Sequence, residues 1–148
     1  MAHIFIFDLD GTLALIDHRR HLVEGVKKDW RKFFEECVYD LPNDPVISMA
    51  KMIRKASPIN IIMIFSGRSE DVRAETVAWL DKHEVPYDKL VMRLTGSFEP
   101  DEEIKRRWLH VHVGRKEAIC AVFDDRQKVV DMWRSEGLTC FQVAPGGF

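Results

Sequence analysis

The run Phe5-Ile6-Phe7-Asp8-Leu9-Asp10-Gly11-Thr12 constrains the fold more than any other stretch of the chain. A short continuous apolar run reads as a strand buried on both faces. Here it ends in two aspartates two residues apart, followed by Gly-Thr. On an extended chain residues i and i+2 point to the same side. Two carboxylates so placed repel each other and resist burial unless a cation lies between them. Mg²⁺ is the natural candidate, because hard cations take oxygen ligands. Gly11 allows a sharp turn, and Thr12 offers a hydroxyl and a backbone N–H to an anion.

The rest of the chain alternates strand and helix signals. Trp30, Phe33, Phe34, Cys37 and Val38 form an apolar stripe at helical spacing within Asp29–Val38. Leu41-Pro42-Asn43-Asp44-Pro45 reads as a break, and Val46–Lys55 reads as a helix started by Pro45. Ile59–Phe65 is an apolar strand ending in Ser66-Gly67-Arg68. Glu70–His83 is a helix with Val72, Thr76, Leu80 and His83 on one stripe, and Leu90–Arg93 is a short strand. Pro100 opens a helix to about Val113 whose first turn carries Asp101, Glu102 and Glu103, where the helix dipole favours anions. Ala118–Phe123 is a strand ending in Asp124-Asp125, Arg126–Glu136 is a helix capped by Gly137, and Thr139–Val143 is the last strand. Continuous apolar strands alternating with helices predict a parallel sheet covered on both faces.

Composition excludes several classes. The 148 residues suffice for one core. No apolar run approaches the ~20 residues of a membrane span, and the first apolar run is too short and too acidic at its end for a signal peptide. Cys37, Cys120 and Cys140 are scattered, which suggests a reducing cytoplasm and no disulfide framework. Cys120 and Cys140 lie in apolar runs and are expected to be buried. A formal charge of −2 argues against non-specific coating of nucleic acid.

In open α/β sheets ligands bind beyond the carboxyl ends of the strands. Three strands here end in polar signatures: Asp8/Asp10, Ser66-Gly67-Arg68 and Asp124-Asp125. Lys105 lies in the early turns of the helix that starts at Pro100. Together these are similar, in order, to the four motifs of the haloacid dehalogenase superfamily of phosphotransferases. The resemblance implies a three-layer α/β sandwich with a central parallel sheet and a minimal or absent cap. It implies that Asp8 attacks phosphorus to form an aspartyl phosphate and that Asp10 serves as general acid, then base. It assigns Ser66 and Lys105 to the transferring phosphoryl group, and Asp8, Asp10, Asp124 and Asp125 to Mg²⁺, with Asp10 contributing its carbonyl. Thr12 and Gly67 are expected to contact substrate.

The C-terminal third is more specific. Val122-Phe123-Asp124-Asp125-Arg126, Val129-Val130-Asp131-Met132-Trp133-Arg134, Gly137–Ala144 and Gly146-Gly147-Phe148 resemble the 3′-phosphatase domain of bacteriophage polynucleotide kinase. Asp101-Glu102-Glu103-Ile104-Lys105 resembles its third motif, and Arg19, Arg68 and Asp101 fall where that domain has substrate-binding arginines and a functional acid. The chain contains no GxxxxGK[ST] loop, so a free-standing phosphatase without kinase activity is expected.

One domain is therefore expected over 1–148, with a small helical lid at 15–39. Without a cap domain the site is open enough for a phosphate on a polymer end. His18, Arg19, Arg20 and His21 form a basic cluster suited to phosphodiester oxygens. Trp30, Phe33 and Phe34 resemble base-stacking groups, but their helical stripe assigns them to the core. The loop Leu94–Glu99 is apolar, which argues against strand contacts there. The function expected is a Mg²⁺-dependent phosphatase that removes 3′-phosphate from DNA or RNA ends. The alternatives are a phosphatase of free nucleotides and a non-catalytic binder of nucleic-acid ends. The partner is a phosphorylated nucleic-acid end or nucleotide, and no membrane is involved.

Overall fold

The computed structural model describes residues 2–147; Phe148 of the last C-terminal motif lies outside them. Strand β1 (Ile4–Phe7) pairs in parallel with β4 (Ile61–Ser69) on one side and β6 (Ile119–Asp124) on the other. Strands β5 (Lys89–Arg93) and β7 (Cys140–Gln142) complete a five-stranded parallel sheet in the order β5-β4-β1-β6-β7. A two-residue antiparallel ribbon, β2 (Ala14–Leu15) with β3 (Leu41–Pro42), lies apart from it. Part of the expected break at Leu41–Pro45 is thus a strand: the turn after Asp10 sends Ala14–Leu15 back to meet it.

Alternation along the strands divides the core into two layers. Phe7, Ile62, Ile64, Met92 and Phe123 point to the face covered by α2 (Asp44–Ala56) and α3 (Arg73–Lys82), with Ala50, Ile53, Trp79 and Leu80 buried against them. Ile6, Met63, Phe65, Val91 and Val122 point to the face covered by α4 (Asp101–His112) and α5 (Gln127–Ser135), with Leu109, Val129 and Trp133. The Phe7 and Phe123 rings stack at 4.5 Å across β1 and β6. This is the expected three-layer α/β sandwich. Among the described residues no helix is long and apolar enough to cross a membrane.

The strands depart from the sequence reading at two bulges. The β1–β6 ladder shifts between Ile4↔Ile119 and Phe5↔Ala121, leaving Cys120 as the extra residue. Cys120 is therefore exposed, against the expectation of burial, while Cys140 is buried. The second shift separates Ser66↔Met92 from Ser69↔Arg93. The strand expected to stop at Phe65 continues to Ser69, and Gly67-Arg68 is its bulge. Bulges re-aim side chains, and this one turns Arg68 inward until it is wholly buried.

Segment 15–39 contains a short 3₁₀ turn at Arg20–Val23, helix α1 (Trp30–Glu35) and a second 3₁₀ turn at Glu36–Tyr39. Asp29 caps α1, its side chain accepting from the Lys32 N–H at 3.0 Å. The expected helix through Val38 stops at Glu35 and tightens, leaving Val38 exposed.

Gly11 lies in the turn after β1 at a φ of +83°, and a Cβ there would collide with the Asp125 carboxylate. Gly11→Ala should therefore destabilise the protein by more than ~1 kcal/mol, the cost of a side chain in a conformation it cannot adopt without strain. Urea unfolding of wild type and variant measures it.

Candidate active site

Loops following β1, β4 and β6 converge at the carboxyl edge of the sheet. The fold places Asp8 just past β1, Asp124 at the end of β6 and Lys105 on the first turns of α4. Asp8, Asp124 and Asp125 are each buried, and one carboxylate oxygen from each lies within 4.8 Å of the others. The Lys105 ammonium, also buried, donates to Asp8 Oδ1 at 2.7 Å and to Asp124 Oδ2 at 3.1 Å. The Trp133 indole N–H donates to the same Asp124 oxygen at 3.1 Å. Burial favours the neutral amine, but Asp124 and Asp8 outweigh it and raise Lys105 above its ordinary value. Thr12 Oγ1 donates within reach of Asp125 Oδ1 at 3.2 Å and Asp8 Oδ2 at 3.4 Å.

Three carboxylates and one ammonium leave an excess of buried negative charge. Burial, then the neighbouring Asp124, pushes Asp8 well above the usual carboxylate range. Burial raises Asp125 to about 6, with Asp124 adding to the rise. Asp125 Oδ2 is buried with no hydrogen-bond partner. A hard divalent cation fits this donor set: it would neutralise the excess charge and take the orphaned oxygen.

Asp10 sits apart from this cluster. Its Oδ1 accepts from Arg19 at 2.6 Å and from Arg68 at 2.9 Å. Burial alone would raise its carboxyl, but the two guanidiniums override burial and hold it at about 2. The same arginines converge on Asp40, whose Oδ2 accepts from Arg19 at 2.7 Å and Arg68 at 2.9 Å. His18 Nε2 lies 2.7 Å from Asp40 Oδ1. Arg19 also stands 4.2 Å over the Phe33 ring and donates to the Phe33 carbonyl at 3.1 Å.

A cavity of about 570 Å³ opens over these groups. Asp8, Asp10, Gly67, Asp101, Lys105, Asp124 and Asp125 line it, so seven of the expected site residues share one wall-to-wall space. Thr12, Arg19, Ser66 and Arg68 do not line it and are fully buried beneath. The Thr12 N–H, expected to face an anion, is taken by the Leu9 carbonyl at 3.1 Å. Ser66 Oγ accepts the Arg68 N–H at 3.2 Å. Arg19 and Arg68 face carboxylates, and the remaining members of the basic cluster, His18, Arg20 and His21, stand outside the cavity. Its cations are Lys28, Arg93, Lys105, Arg126 and Lys128.

Several participants escaped sequence reasoning. Asp40 is 21 residues from Arg19 and 28 from Arg68, with no motif around it. Arg93 and Arg126 both grip Asp101, Arg126 at 2.9 Å. Arg93 does end a strand, the position at which the other site residues were found. Trp30, Phe33 and Phe34, all assigned to the core, all line the cavity; Phe33 is buried, Phe34 is half-buried against the core, and Trp30 is half-buried outside it.

Two outcomes follow from this electrostatics. In the metal-free fold Asp8 and Asp125 retain protons that the unfolded chain has lost. The stabilising contribution of Asp125 is complete below the ordinary 3.8 and disappears as pH rises through about 6, and Asp8 acts in the same direction. Asp10, held low, acts in the opposite sense, below 3.8 only. Stability of the metal-free protein should fall by on the order of 3 kcal/mol between about pH 4 and about pH 7. Mg²⁺ should raise the melting temperature more at about pH 7 than at about pH 5, because protons compete for its ligands. Scanning calorimetry over that range checks both. Asp40→Ala should cost about 3–5 kcal/mol in denaturant unfolding, since it leaves two buried guanidiniums sharing one carboxylate.

The chain matches the family described as the polynucleotide kinase PNKP phosphatase domain over residues 2–148. It is 30% identical over 128 residues to a bifunctional polynucleotide kinase/RNA ligase of Autographa californica nuclear polyhedrosis virus, covering 86% of this chain and 17% of the viral protein. Among solved structures, a chain of the Pnkp1/Rnl/Hen1 complex is 34% identical with a TM-score of 0.84, over 99% of this chain and 47% of that one. This chain therefore spans less than half the length of either relative. CbbY from Rhodobacter sphaeroides, solved with phosphate, shares the fold at a TM-score of 0.65 and 16% identity, over 100% of this chain and 88% of its own. With its strand-end carboxylates and buried lysine, the chain belongs to the polynucleotide kinase phosphatase domain family, on the haloacid dehalogenase fold.

Proposed function

We propose that the protein is a Mg²⁺-dependent phosphatase that removes 3′-phosphate from DNA or RNA ends through an aspartyl phosphate on Asp8. The observation that carries this reading is Asp8 itself: a cavity-lining carboxylate held by Lys105 at 2.7 Å beside Asp124 and Asp125. A pure binder of ends has no need of a carboxylate so placed. The family and the viral relative support a nucleic-acid end as the substrate.

Asp8, the Asp10 carbonyl and Asp124 or Asp125 would hold the ion. When bound, Mg²⁺ supplies positive charge to the phosphoryl oxygens and to the Asp8 carboxylate. Asp8 attacks phosphorus and the P–O3′ bond breaks. Lys105 orients Asp8 and offsets charge on the phosphoryl group. Asp10 gives a proton to the departing 3′-oxygen, then takes one from the water that cleaves the acyl phosphate. Inorganic phosphate leaves and Asp8 is regenerated.

Arg19 and Arg68 act through Asp10 in this reading. They hold it ionised before substrate enters. A phosphoryl dianion arriving beside Asp10 opposes their field and raises its proton affinity, so that Asp10 takes up from solvent the proton it passes to the 3′-oxygen and later recovers from water.

Asp8→Asn should lower turnover on the order of 10³-fold or more, and chelation should abolish it until Mg²⁺ is returned. The measurement is phosphate release from 3′- and 5′-phosphorylated oligonucleotides, mononucleotides and sugar phosphates. Full activity in Asp8→Asn refutes the mechanism. Preference for mononucleotides over oligonucleotides replaces the polymer-end reading with a free-nucleotide phosphatase, a substrate the cavity of about 570 Å³ also has room for.

A further inference from the structure

The cavity is larger than a phosphoryl group requires, and its outer wall is aromatic. At about 570 Å³ it falls within the roughly 300–1,000 Å³ of sites that enclose whole small molecules. Trp30 and Phe34 line it from α1, their rings 6.0 Å apart and tilted by 32°. Phe98 lines it from the loop after β5 and is 84% exposed. Trp30 and Phe98 belong to neither core layer. Phe33, from the same helix, also lines the cavity but is buried, whereas Trp30 is half-covered and Phe34 rests one side against the core with the rest facing the cavity. Phe98 is a large ring standing in water at the mouth of a site floored by carboxylates.

We propose that Trp30, Phe34 and Phe98 form a stacking subsite for the base of the nucleotide that carries the scissile phosphate. The proposal rests on the phosphatase reading above and names what part of the substrate the enzyme holds. Three observations select a base as the occupant. The aromatic wall lines the same cavity as Asp8, so a ligand that fills this cavity of about 570 Å³ with its phosphate at Asp8 meets those rings. Aromatic faces accept any base, which suits an enzyme acting on ends of arbitrary sequence. Lys28, on the same wall and 5.9 Å over the Trp30 ring, adds a cation where a neighbouring phosphodiester would pass.

The test compares two oligonucleotides: one ending in an ordinary 3′-phosphorylated nucleotide, the other in an abasic sugar 3′-phosphate. Wild type should favour the base-bearing end by a factor on the order of 5 to 150 in kcat/KM, carried mainly by KM. Phe98→Ala and Trp30→Leu should each bring that ratio down toward one, and Trp30→Phe should restore most of it. Phe98 is an exposed loop residue, so its replacement reads the subsite without disturbing the core. A wild-type ratio near one, or equal losses on both substrates in the variants, overturns the proposal. If neither oligonucleotide is hydrolysed while a small phosphate ester is, the polymer-end reading fails. Calorimetry then decides the subsite by itself. Tighter binding of a 3′-phosphorylated mononucleotide than of inorganic phosphate, lost in Trp30→Leu, upholds it; equal binding of the two overturns it.

Discussion

Lys105 places one ammonium between carboxylates carried by two different strands, and the geometry of the strand ends depends on that contact. Without it, Asp8 and Asp124 would face each other in a buried space with only like charge between them. Removing one partner of a buried ionic group is among the costliest changes a fold can suffer. The helix that brings Lys105 is itself fixed at its first turn, where Asp101 is gripped by Arg93 from β5 and Arg126 from the loop after β6. Strand ends and one helix are thus tied together at the carboxyl edge of the sheet.

A second charge network lies below and beside the first, with a different logic. Asp10 and Asp40 carry two negative charges, and Arg19 and Arg68 carry two positive ones. This group balances internally, whereas the Asp8 cluster does not. The contrast divides the site by charge. The balanced group holds the Asp10 carboxyl ionised, at about 2, while burial and Asp124 raise Asp125 in the unbalanced group to about 6.

How much of this could be read from sequence follows from where each residue stands. Asp8, Asp10, Asp124, Asp125 and Lys105 were legible because they follow apolar runs or open a helix, and a parallel sheet gathers such positions at one edge. Asp40 was illegible: it ends an irregular segment, and its partners arrive through tertiary folding. Arg68 was named but not placed, because periodicity does not reveal the bulge at Gly67-Arg68 that turns it inward. Trp30 and Phe34 share a helical stripe with Phe33, and spacing alone does not tell the buried ring from the two that are half-exposed to a cavity. Cys120 was misread for the same reason as Arg68, since an apolar run conceals an extra residue in a ladder.

Arg19 couples two parts of the molecule that would otherwise be independent. Its guanidinium donates to Asp10, and the same group donates to the Phe33 carbonyl and stands over the Phe33 ring, the buried ring of the aromatic helix. The wall of the cavity and the Asp10 carboxylate therefore share one side chain. Swinging the whole wall outward at Arg19 would strip Asp10 of a partner. The exposed stretch 24–29, with Gly25 at a φ of +82°, reaches the same cavity through Glu24, Gly25 and Lys28 with no hydrogen bond to Arg19 or Asp10. One part of the rim is thus tied to Asp10 through Arg19, and the other is not.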